Sequence, residues 1–587
     1  MCGIFGYIGG SLNAADIVLS GLKKLDYRGY DSWGIAVIAN GQISLKKDVG
    51  EIGKIKSITL PSGRVSLGHT RWATTGGVSR INSHPHFSTD KSFALVQNGI
   101  VENFEELKRD LKNQGYLFQS ETDTEVIVRL IESQKNDDLV ESVRLAFLQL
   151  KGRNTIAVID LKKNRLIAAR NGSPLIVGQS SDGYYLSSDT FSLSGLVTKF
   201  LNLDNGDILV LDDQLKFIDS RTGQQINRAF KDMEISTSSP DKGNYDHFMI
   251  KEIMESPQII NHIASYRQKD LSELVKVIKQ STRVYLIGSG TAGNAAAQIA
   301  YYLKKYAHIP AISLVGADAK DYFSLFSPQD LIIAPSQSGE TADVLEVLEF
   351  AKTKGVKIAS LVNMPGSMMT QISDFKFSSL AGPEICVMST KVFTAQIAWG
   401  YLLAKSIVNQ HAQAVAELKE LAILTQGYLE DSQNHQQIKK IAAYLSQTHD
   451  IFLLGKGQNF QIAKEGMVKI IEGSYKHAHA IPAGDLKHYA ITLIEKNVYV
   501  LVLLSPDDSL DDLNSAINEI RSRHGTIIGL FHHPQPNFNY HLPSLDLQNT
   551  SAIFNIIPLQ LLAYYLAVKL GNNIDKPRNI AKSVTVK

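Results

Sequence analysis

Cys2 is the second residue of the chain and is followed by Gly3. Methionine before a small residue is commonly trimmed, and Cys2 would then carry a free α-amine with a pKa of about 8. That amine can take the thiol proton, directly or through water, and the thiolate can attack a carbonyl. Gly3 leaves the backbone open to an approaching substrate. Taken alone, a terminal cysteine is more simply incidental. Other residues change that weighting. A thiolate that cleaves an amide needs an oxyanion hole. Gln97-Asn98-Gly99, directly after the apolar run Ala94-Leu95-Val96, offers a side-chain amide and a glycine N–H. An amino-acid substrate needs a cation for its carboxylate and an anion for its ammonium. Arg71 in HTRWAT (69–74) and Asp123 in ETDTE (121–125) could supply them.

A second chemistry is written further along. Ser336-Gln337-Ser338-Gly339-Glu340-Thr341 lies between the run Leu331-Ile332-Ile333-Ala334 and a helical stretch from Ala342. A strand, a hydroxyl-rich loop and a helix N-terminus make an anion site, because free N–H groups and the helix dipole favour a phosphate. The alternative is an ordinary helix cap, but three hydroxyls and an amide exceed what a cap requires. Gly288-Ser289-Gly290-Thr291-Ala292-Gly293 is a literal GxGxxG. A dinucleotide site wants an acid at the end of the next strand, and Ala311 to Gly316 ends without one. Glu465, Lys469 and Glu472 stand at i, i+4 and i+7, on one helical face; spacing alone reads as a solvated salt-bridge face. The pairs His84-x-His86 and His477-x-His479 lack a third ligand in pattern, and no metal or cofactor is expected.

These residues need elements to position them. Residues 1 to about 235 are dense in short β runs (35–38, 94–96, 155–159, 208–211) with helical stretches at 14–25 and 124–133, which reads as sheets with packed helices. Ser236 to Asn244 is polar, with Pro and Gly, and reads as a linker. From about 275 short apolar strands (284–287, 331–334, 358–361) alternate with long helices, the pattern of a parallel sheet covered by helices. The series returns: Gly455 echoes Gly288, Ser505 echoes Ser336 and Thr526 echoes Lys357, an offset of roughly 168 residues that points to a duplicated α/β domain. The second copy has Ser505-Pro506-Asp507-Asp508 where the first has its hydroxyl-rich loop, which is unsuited to phosphate.

Composition bounds the rest. The chain has 587 residues, 44% hydrophobic and 20% charged, which excludes a disordered or fibrous chain. Sixty basic against 58 acidic residues leave a net charge of +2, so neither nucleic acid nor an anionic membrane is called for. Two cysteines, Cys2 and Cys386, cannot build a disulfide framework, and a reducing, cytoplasmic setting is expected. The first residues have no basic region ahead of an apolar one, unlike a signal peptide. The longest apolar stretch, Ile556 to Leu570, is shorter than the ~20 residues a bilayer requires and reads as a buried core helix.

Cys2-Gly3-Ile4, YRGYDS (27–32), GHTRWAT (68–74), NSHPH (82–86), QNGIVEN (97–103) and SETDTE (120–125) resemble the glutaminase domain of class II glutamine amidotransferases. SQSGET (336–341) resembles the phosphosugar motif of sugar isomerase (SIS) domains. EGMVKIIEGSYKHAHAIPAGDLKH (465–488) and the tail KPRNIAKSVTVK (576–587) extend the likeness over essentially the whole chain, to the family of glutamine–fructose-6-phosphate transaminases (isomerizing). The resemblance implies an α/β chain: an N-terminal Ntn-hydrolase αββα sandwich followed by two doubly wound parallel-sheet SIS domains. It divides the chain into a glutaminase domain (1–235), a linker and connecting helix (236–273), a first SIS domain that binds sugar phosphate (274–415), a second that isomerises (416–577) and a catalytic tail (578–587).

By the same resemblance Cys2 is the nucleophile and Asn98 and Gly99 form its oxyanion hole. Arg71, Trp72, Thr74, His84 and Asp123 hold glutamine, with Trp72 gating an ammonia channel. Ser289, Thr291, Ser336, Gln337, Ser338, Thr341, Val387, Ser389 and Ala581 contact the sugar phosphate. Glu472 moves a proton between C1 and C2, Lys469 assists at the neighbouring hydroxyl, His488 opens the sugar ring, and Lys582 forms a Schiff base with the open ketose. The implied partners are glutamine, fructose 6-phosphate and a second copy of the chain. The sequence departs from the family pattern at Thr75, at Ser289 and Ala292, at His479 and at Tyr489-Ala490. The rival readings are an amidotransferase acting on a different ketose phosphate and a non-catalytic sugar-phosphate-binding regulator.

Overall fold

The computed structural model describes residues 2–212, 214–233 and 242–584. The chain divides into two compact units, Met1–Ser239 with Ala581–Lys587, and Pro240–Ile580. Most of the expected linker, and the last three residues of the tail, lie outside the described residues.

The amino-terminal unit is built on β1 (Gly3–Gly9), α1 (Ala14–Lys24), β2 (Ser32–Ala39), β3 (Val65–Arg71), β4 (Phe93–Gly99), α2 (Asp123–Ser133), β5 (Asn154–Asp160), β6 (Arg165–Asn171) and β7 (Gly183–Ser187). Strand β1 lies antiparallel between β7 and β3 in an eight-stranded sheet. Strands β4, β5 and β6 run antiparallel side by side in a seven-stranded sheet.

Side chains alternate along a strand with a period of two, and the core follows that alternation. Ile4 of β1, Leu67 of β3, Val96 of β4 and Ile159 of β5 meet in one apolar layer between the sheets. Their neighbours face outward: Phe5 and Tyr7 pack on Val18 and Leu22 of α1, and Leu95, Ile156 and Val158 pack on Val126 and Leu130 of α2. The order is helix, sheet, sheet, helix. The expected αββα sandwich is what the alternation builds.

The second unit continues with β8 (Val284–Gly288), α3 (Thr291–Ala307), β9 (Ala311–Val315), β10 (Leu331–Ser336), α4 (Ala342–Thr353), β11 (Lys357–Val362), β12 (Phe375–Ser378) and α5 (Lys391–Ile407). Its second half has β13 (Asp450–Gly455), α6 (Phe460–Ser474), β14 (His477–Pro482), β15 (Tyr499–Leu503), α7 (Leu510–Arg521), β16 (Thr526–Phe531), β17 (Tyr540–Pro543) and α8 (Ser551–Leu570). Each half is a five-stranded sheet, ordered β9-β8-β10-β11-β12 in the first and β14-β13-β15-β16-β17 in the second. Every pairing in both is parallel. The same strand order twice, with the turn of direction at the first strand of each half, is a duplicated doubly wound fold.

Central strands of this unit read as unbroken apolar runs because both faces are covered. Leu286 and Ile333 of the first sheet and Leu453 and Leu501 of the second share one core with α3, α5 and α8. Tyr285 and Ile332 face α4 on the far side of the first sheet; Val500 and Val502 face α7 on the far side of the second. Among the described residues one helix, α8, is long and apolar enough to cross a membrane, yet 89% of its most apolar window is buried inside the protein. It is the core helix expected from Ile556 to Leu570.

Candidate active sites

In the amino-terminal unit, pairing of β1 with β3 sets Gly3 opposite Thr70 and so brings Cys2 against the end of β3. The backbone N–H of Trp72 donates to Cys2 Sγ at 3.3 Å. Burial pushes the Cys2 thiol up, while the Trp72 N–H and the Arg71 guanidinium pull it down and Asp123 adds to the rise. A Cβ on Gly3 would sit 2.7 Å from Thr70 Oγ1 and 2.9 Å from Leu25 Cβ. Close packing against β3 and the chain after α1 therefore accounts for Gly3, and substrate approach is not needed to explain it.

Asn98, at the end of β4, donates from Nδ2 to the Cys2 carbonyl at 3.1 Å and to Ser188 Oγ at 2.8 Å. Its Oδ1 lies 3.2 Å from His69 Nε2, which also reaches the Gln97 carbonyl at 2.9 Å. Both of those partners are acceptors, so Nε2 carries the proton, and the amide of Asn98 is oriented with its N–H groups toward Cys2. To stabilise an oxyanion, Asn98 would exchange one of these bonds for the substrate oxygen. Gly99 follows it, paired with Asn154.

Arg71 is 3% exposed. It donates to the carbonyls of Thr75 at 2.6 Å and of Gly76 and Gly77 at 3.1 Å, so the loop after β3 is wrapped around its guanidinium. Thr74 is exposed on that loop. Trp72 stands edge-on to Tyr30 at 5.3 Å. Asp123 opens α2, where the helix dipole favours an anion; its Oδ2 accepts the Val101 N–H at 2.9 Å, and burial pushes its carboxyl up.

His84 is placed differently from these. It is buried in a row of three imidazoles, stacked on His69 at 4.2 Å and edge-on to His86 at 5.0 Å. Its Nδ1 accepts the Gln97 N–H at 3.3 Å and its Nε2 lies 3.1 Å from Thr124 Oγ1. Burial pulls His69 down to about 3 and His84 and His86 well below the usual range, so all three stay neutral. A broad cavity of about 1040 Å³ in this unit is lined by Asp90, Tyr116, Glu132, Lys135, Asp160 and Arg165, among others, and by none of the candidate site residues.

In the second unit the loop from β10 to α4 carries the candidate phosphate ligands. Ser336 Oγ accepts the Gly339 N–H at 2.9 Å, and Ser338 Oγ accepts the Glu340 N–H at 3.2 Å. Gly339 has a φ of +67°, and a Cβ there would meet Ser367 Oγ at 2.1 Å; only glycine permits this turn. Gln337 is half-buried. Thr341 occupies the cap position of α4 but makes no side-chain cap bond. Ser289, after β8, is buried at Oγ and has no hydrogen-bond partner among the described residues.

Thr291 is engaged elsewhere. Its hydroxyl donates to Glu465 Oε1 at 2.9 Å, and Asn294 Nδ2 donates to Glu465 Oε2 at 2.8 Å. Lys469 Nζ lies 2.6 Å from Glu472 Oε2, 3.2 Å from Thr291 Oγ1 and 3.4 Å from Glu465 Oε1. Helix α3 of the first half and α6 of the second are thus stitched by hydrogen bonds between neutral side chains of α3 and charged ones of α6. Val387 and Ser389 flank Met388, whose Sδ packs at the end of α6, 3.4 Å from where a Cβ on Gly473 would be. His488 is exposed on the turn Ala483–His488, after β14. Ala581 and Lys582 are half-buried and group with the amino-terminal unit.

Family models match the same regions: a glutamine amidotransferase domain at residues 69–194 and SIS domains at residues 277–406 and 444–570. Over its full length the chain is 36% identical to glutamine–fructose-6-phosphate aminotransferase (isomerizing) of Pyrococcus horikoshii, covering 100% of both chains. It is also 36% identical to that of Aquifex aeolicus, again over 100% of both. The chain belongs to the glutamine–fructose-6-phosphate aminotransferase (isomerizing) family.

A solved structure agrees. The C-terminal domain of glucosamine-fructose-6-phosphate aminotransferase from Francisella tularensis is 31% identical, with a TM-score of 0.53, over 58% of this chain and 100% of that one. A putative tagatose-6-phosphate ketose/aldose isomerase from Clostridium novyi shares the fold, at 15% identity and a TM-score of 0.52 over 57% of this chain and 93% of that one.

Residue by residue, Cys2, Asn98, Arg71, Trp72 and Asp123 fall in one unit around the meeting of β1, β3 and β4. Lys469, Glu472 and Thr291 fall together in the other. Sequence reasoning missed His69, which orients Asn98, and Ser188, which accepts from both Asn98 and the Ile4 N–H at 2.8 Å. His69 lies within the GHTRWAT motif, but β3 has to be placed beside β4 before its partner is apparent. Ser188 has no sequence signal.

Proposed function

We propose that the chain converts fructose 6-phosphate and glutamine to glucosamine 6-phosphate and glutamate, in two half-reactions. With Met1 removed, the Cys2 amine takes the thiol proton and the thiolate attacks the glutamine carboxamide carbon. Ammonia leaves, and water cleaves the resulting thioester to glutamate. Asn98 and Gly99 steady the tetrahedral oxyanion, and Arg71 and Asp123 hold the substrate's carboxylate and ammonium. Trp72 guards the way out for ammonia, which bulk water would protonate.

In the second unit Ser289, Ser336, Gln337, Ser338 and Thr341 hold the phosphate, with Val387 and Ser389 beside the sugar. His488 opens the ring. Lys582 forms an imine with the open ketose next to Ala581, ammonia displaces the lysine, and Glu472 carries a proton from C1 to C2 with Lys469 at its side. Glutamine and fructose 6-phosphate are the substrates; assembly as a homodimer and a cytoplasmic location complete this reading.

The observation that carries it is one chain holding a cysteine with an oriented amide beside it and, separately, a partly open carboxylate paired to a buried lysine. The test is product identification from glutamine with fructose 6-phosphate and with other ketose phosphates. Amino sugar from fructose 6-phosphate is the expected result; none from it, and some from another ketose phosphate, would favour the rival suggested by Ala292. Cys2→Ala should lower glutaminase activity by a factor of about 10³ or more while amination from free ammonia persists. A mutant that still hydrolyses glutamine would refute the nucleophile assignment.

A further inference from the structure

Glu465, Lys469 and Glu472 share a face of α6, and spacing alone makes that face a solvated one. Burial says otherwise: the side chains of Glu465 and Lys469 are 0% exposed, whereas that of Glu472 is 23% exposed. Only Glu472 is open to a substrate. Both oxygens of Glu465 are already bonded, to Thr291 and to Asn294, with the Lys469 ammonium alongside. All three partners donate, which is the bonding pattern of a carboxylate. Desolvating an ion pair costs several kcal/mol per charge, and a lone buried charge costs more.

A base that shuttles a proton spends part of each cycle neutral. When Glu472 is protonated, Lys469 would be a buried ammonium facing an uncharged partner. A second carboxylate 3.4 Å away removes that difficulty. We propose that Glu465 is a positioning residue for the isomerisation: a buried, permanent counter-ion that keeps the Lys469 ammonium in place while Glu472 gains and loses its proton. This rests on the reading of Glu472 as the base.

The charge on Lys469 agrees with the geometry. Burial alone would lower the pKa of Lys469, but Glu472 and Glu465 outweigh it and hold the amine above the usual lysine range. Burial pushes the Glu465 carboxyl up, against the pull of Lys469, Asn294 and Thr291 and with that of Glu472. The groups facing the cluster from other elements are Thr291 and Asn294 of α3 and the Cys386 thiol, before α5. Glu465 also places a second negative charge beside the Lys469–Glu472 pair, which its loss would remove.

The test uses the full chain, with isomerisation of fructose 6-phosphate followed as a function of pH. Glu465→Gln keeps the shape and, through its one carbonyl oxygen, a single acceptor for Thr291 or Asn294, but removes the charge. The acid limb of kcat should move to lower pH by about one unit and the plateau should fall roughly three- to tenfold, with KM changed less than kcat. Glu465→Asp, which keeps the charge, should hold the limb near its original position at a reduced rate.

A Gln variant with the wild-type profile, or one whose rate falls while the limb stays fixed, would overturn the proposal. If the Gln variant does not fold, the Asp variant decides, and a displaced limb there counts against it. Glu472→Gln separates the two claims: an active Glu472→Gln enzyme refutes the base itself, whereas an inactive one beside an unaltered Glu465→Gln refutes only the counter-ion. The glutaminase rate of each variant reports on its intact amino-terminal unit.

Discussion

The two halves of the second unit have one strand order but opposite loops at the same place. After β10 the first half has Ser336, Ser338 and Thr341 around Gly339, ahead of α4. After β15 the second half has Asp507 at the position of Ser338. Asp507 Oδ2 accepts from Gln458 Nε2 at 2.7 Å, and Oδ1 accepts from Ser509 at 2.9 Å through N–H and 2.5 Å through the hydroxyl. Beside it Asn459 Nδ2 donates to Ser505 Oγ at 2.6 Å. A strand end followed by a helix start favours an anion in either half. The second fills that place with its own carboxylate; in the function proposed above, the first leaves it to the phosphate. The two copies share the backbone device and differ in the side chains placed on it.

The sharpest way to break the comparison is to exchange the two residues. Ser338→Asp brings a fixed negative charge into the first loop, and like charges placed together cost several kcal/mol. KM for fructose 6-phosphate should rise about 100-fold or more, with glutaminase activity intact. Asp507→Ser in the second loop should leave that KM unchanged. Equal effects from both, measured by steady-state kinetics, would mean the second loop also binds.

A smaller effect separates the backbones. Gly339→Ala meets both a positive φ and Ser367 Oγ, so it should destabilise by about 2–4 kcal/mol in thermal or denaturant melts. Its counterpart Asp508 pairs with Lys305 at 3.0 Å, but it is 78% exposed and the lysine 44%. Asp508→Ala should change stability by less than about 0.5 kcal/mol.

How much of this was legible in the sequence depended on whether the signal was local. The β10 strand, its loop and α4 are contiguous, so that strand–loop–helix unit reads from one stretch. The duplication reads from Gly455, Ser505 and Thr526 recurring in order. Glu465 has the spacing of a surface helix, and only the packing of α3 onto α6 buries it. His69 and Asn98 are 29 positions apart, and their contact exists because β3 and β4 lie in facing sheets. His84 stands in a motif, yet its position in a stack is set by two neighbours on different strands. Contacts made across layers leave no periodicity to find.

The smallest expected effect distinguishes a ligand from a cap. Thr341 stands at the cap of α4 without capping it, whereas Ser509, at the start of α7, is tied to Asp507 through both its N–H and its hydroxyl. Thr341→Val removes a hydroxyl at nearly constant volume. If that hydroxyl serves the phosphate, a hydrogen bond to a charged group is lost, about 1.5 kcal/mol or roughly tenfold in KM, and the melting transition stays where it was. Ser509→Ala should do the reverse, removing the hydroxyl's bond to Asp507 at a cost of about 1 kcal/mol of stability and leaving KM alone. A Thr341→Val enzyme that melts early with unchanged KM would make that residue structural, and the first loop would then bind through Ser336, Gln337 and Ser338 without it.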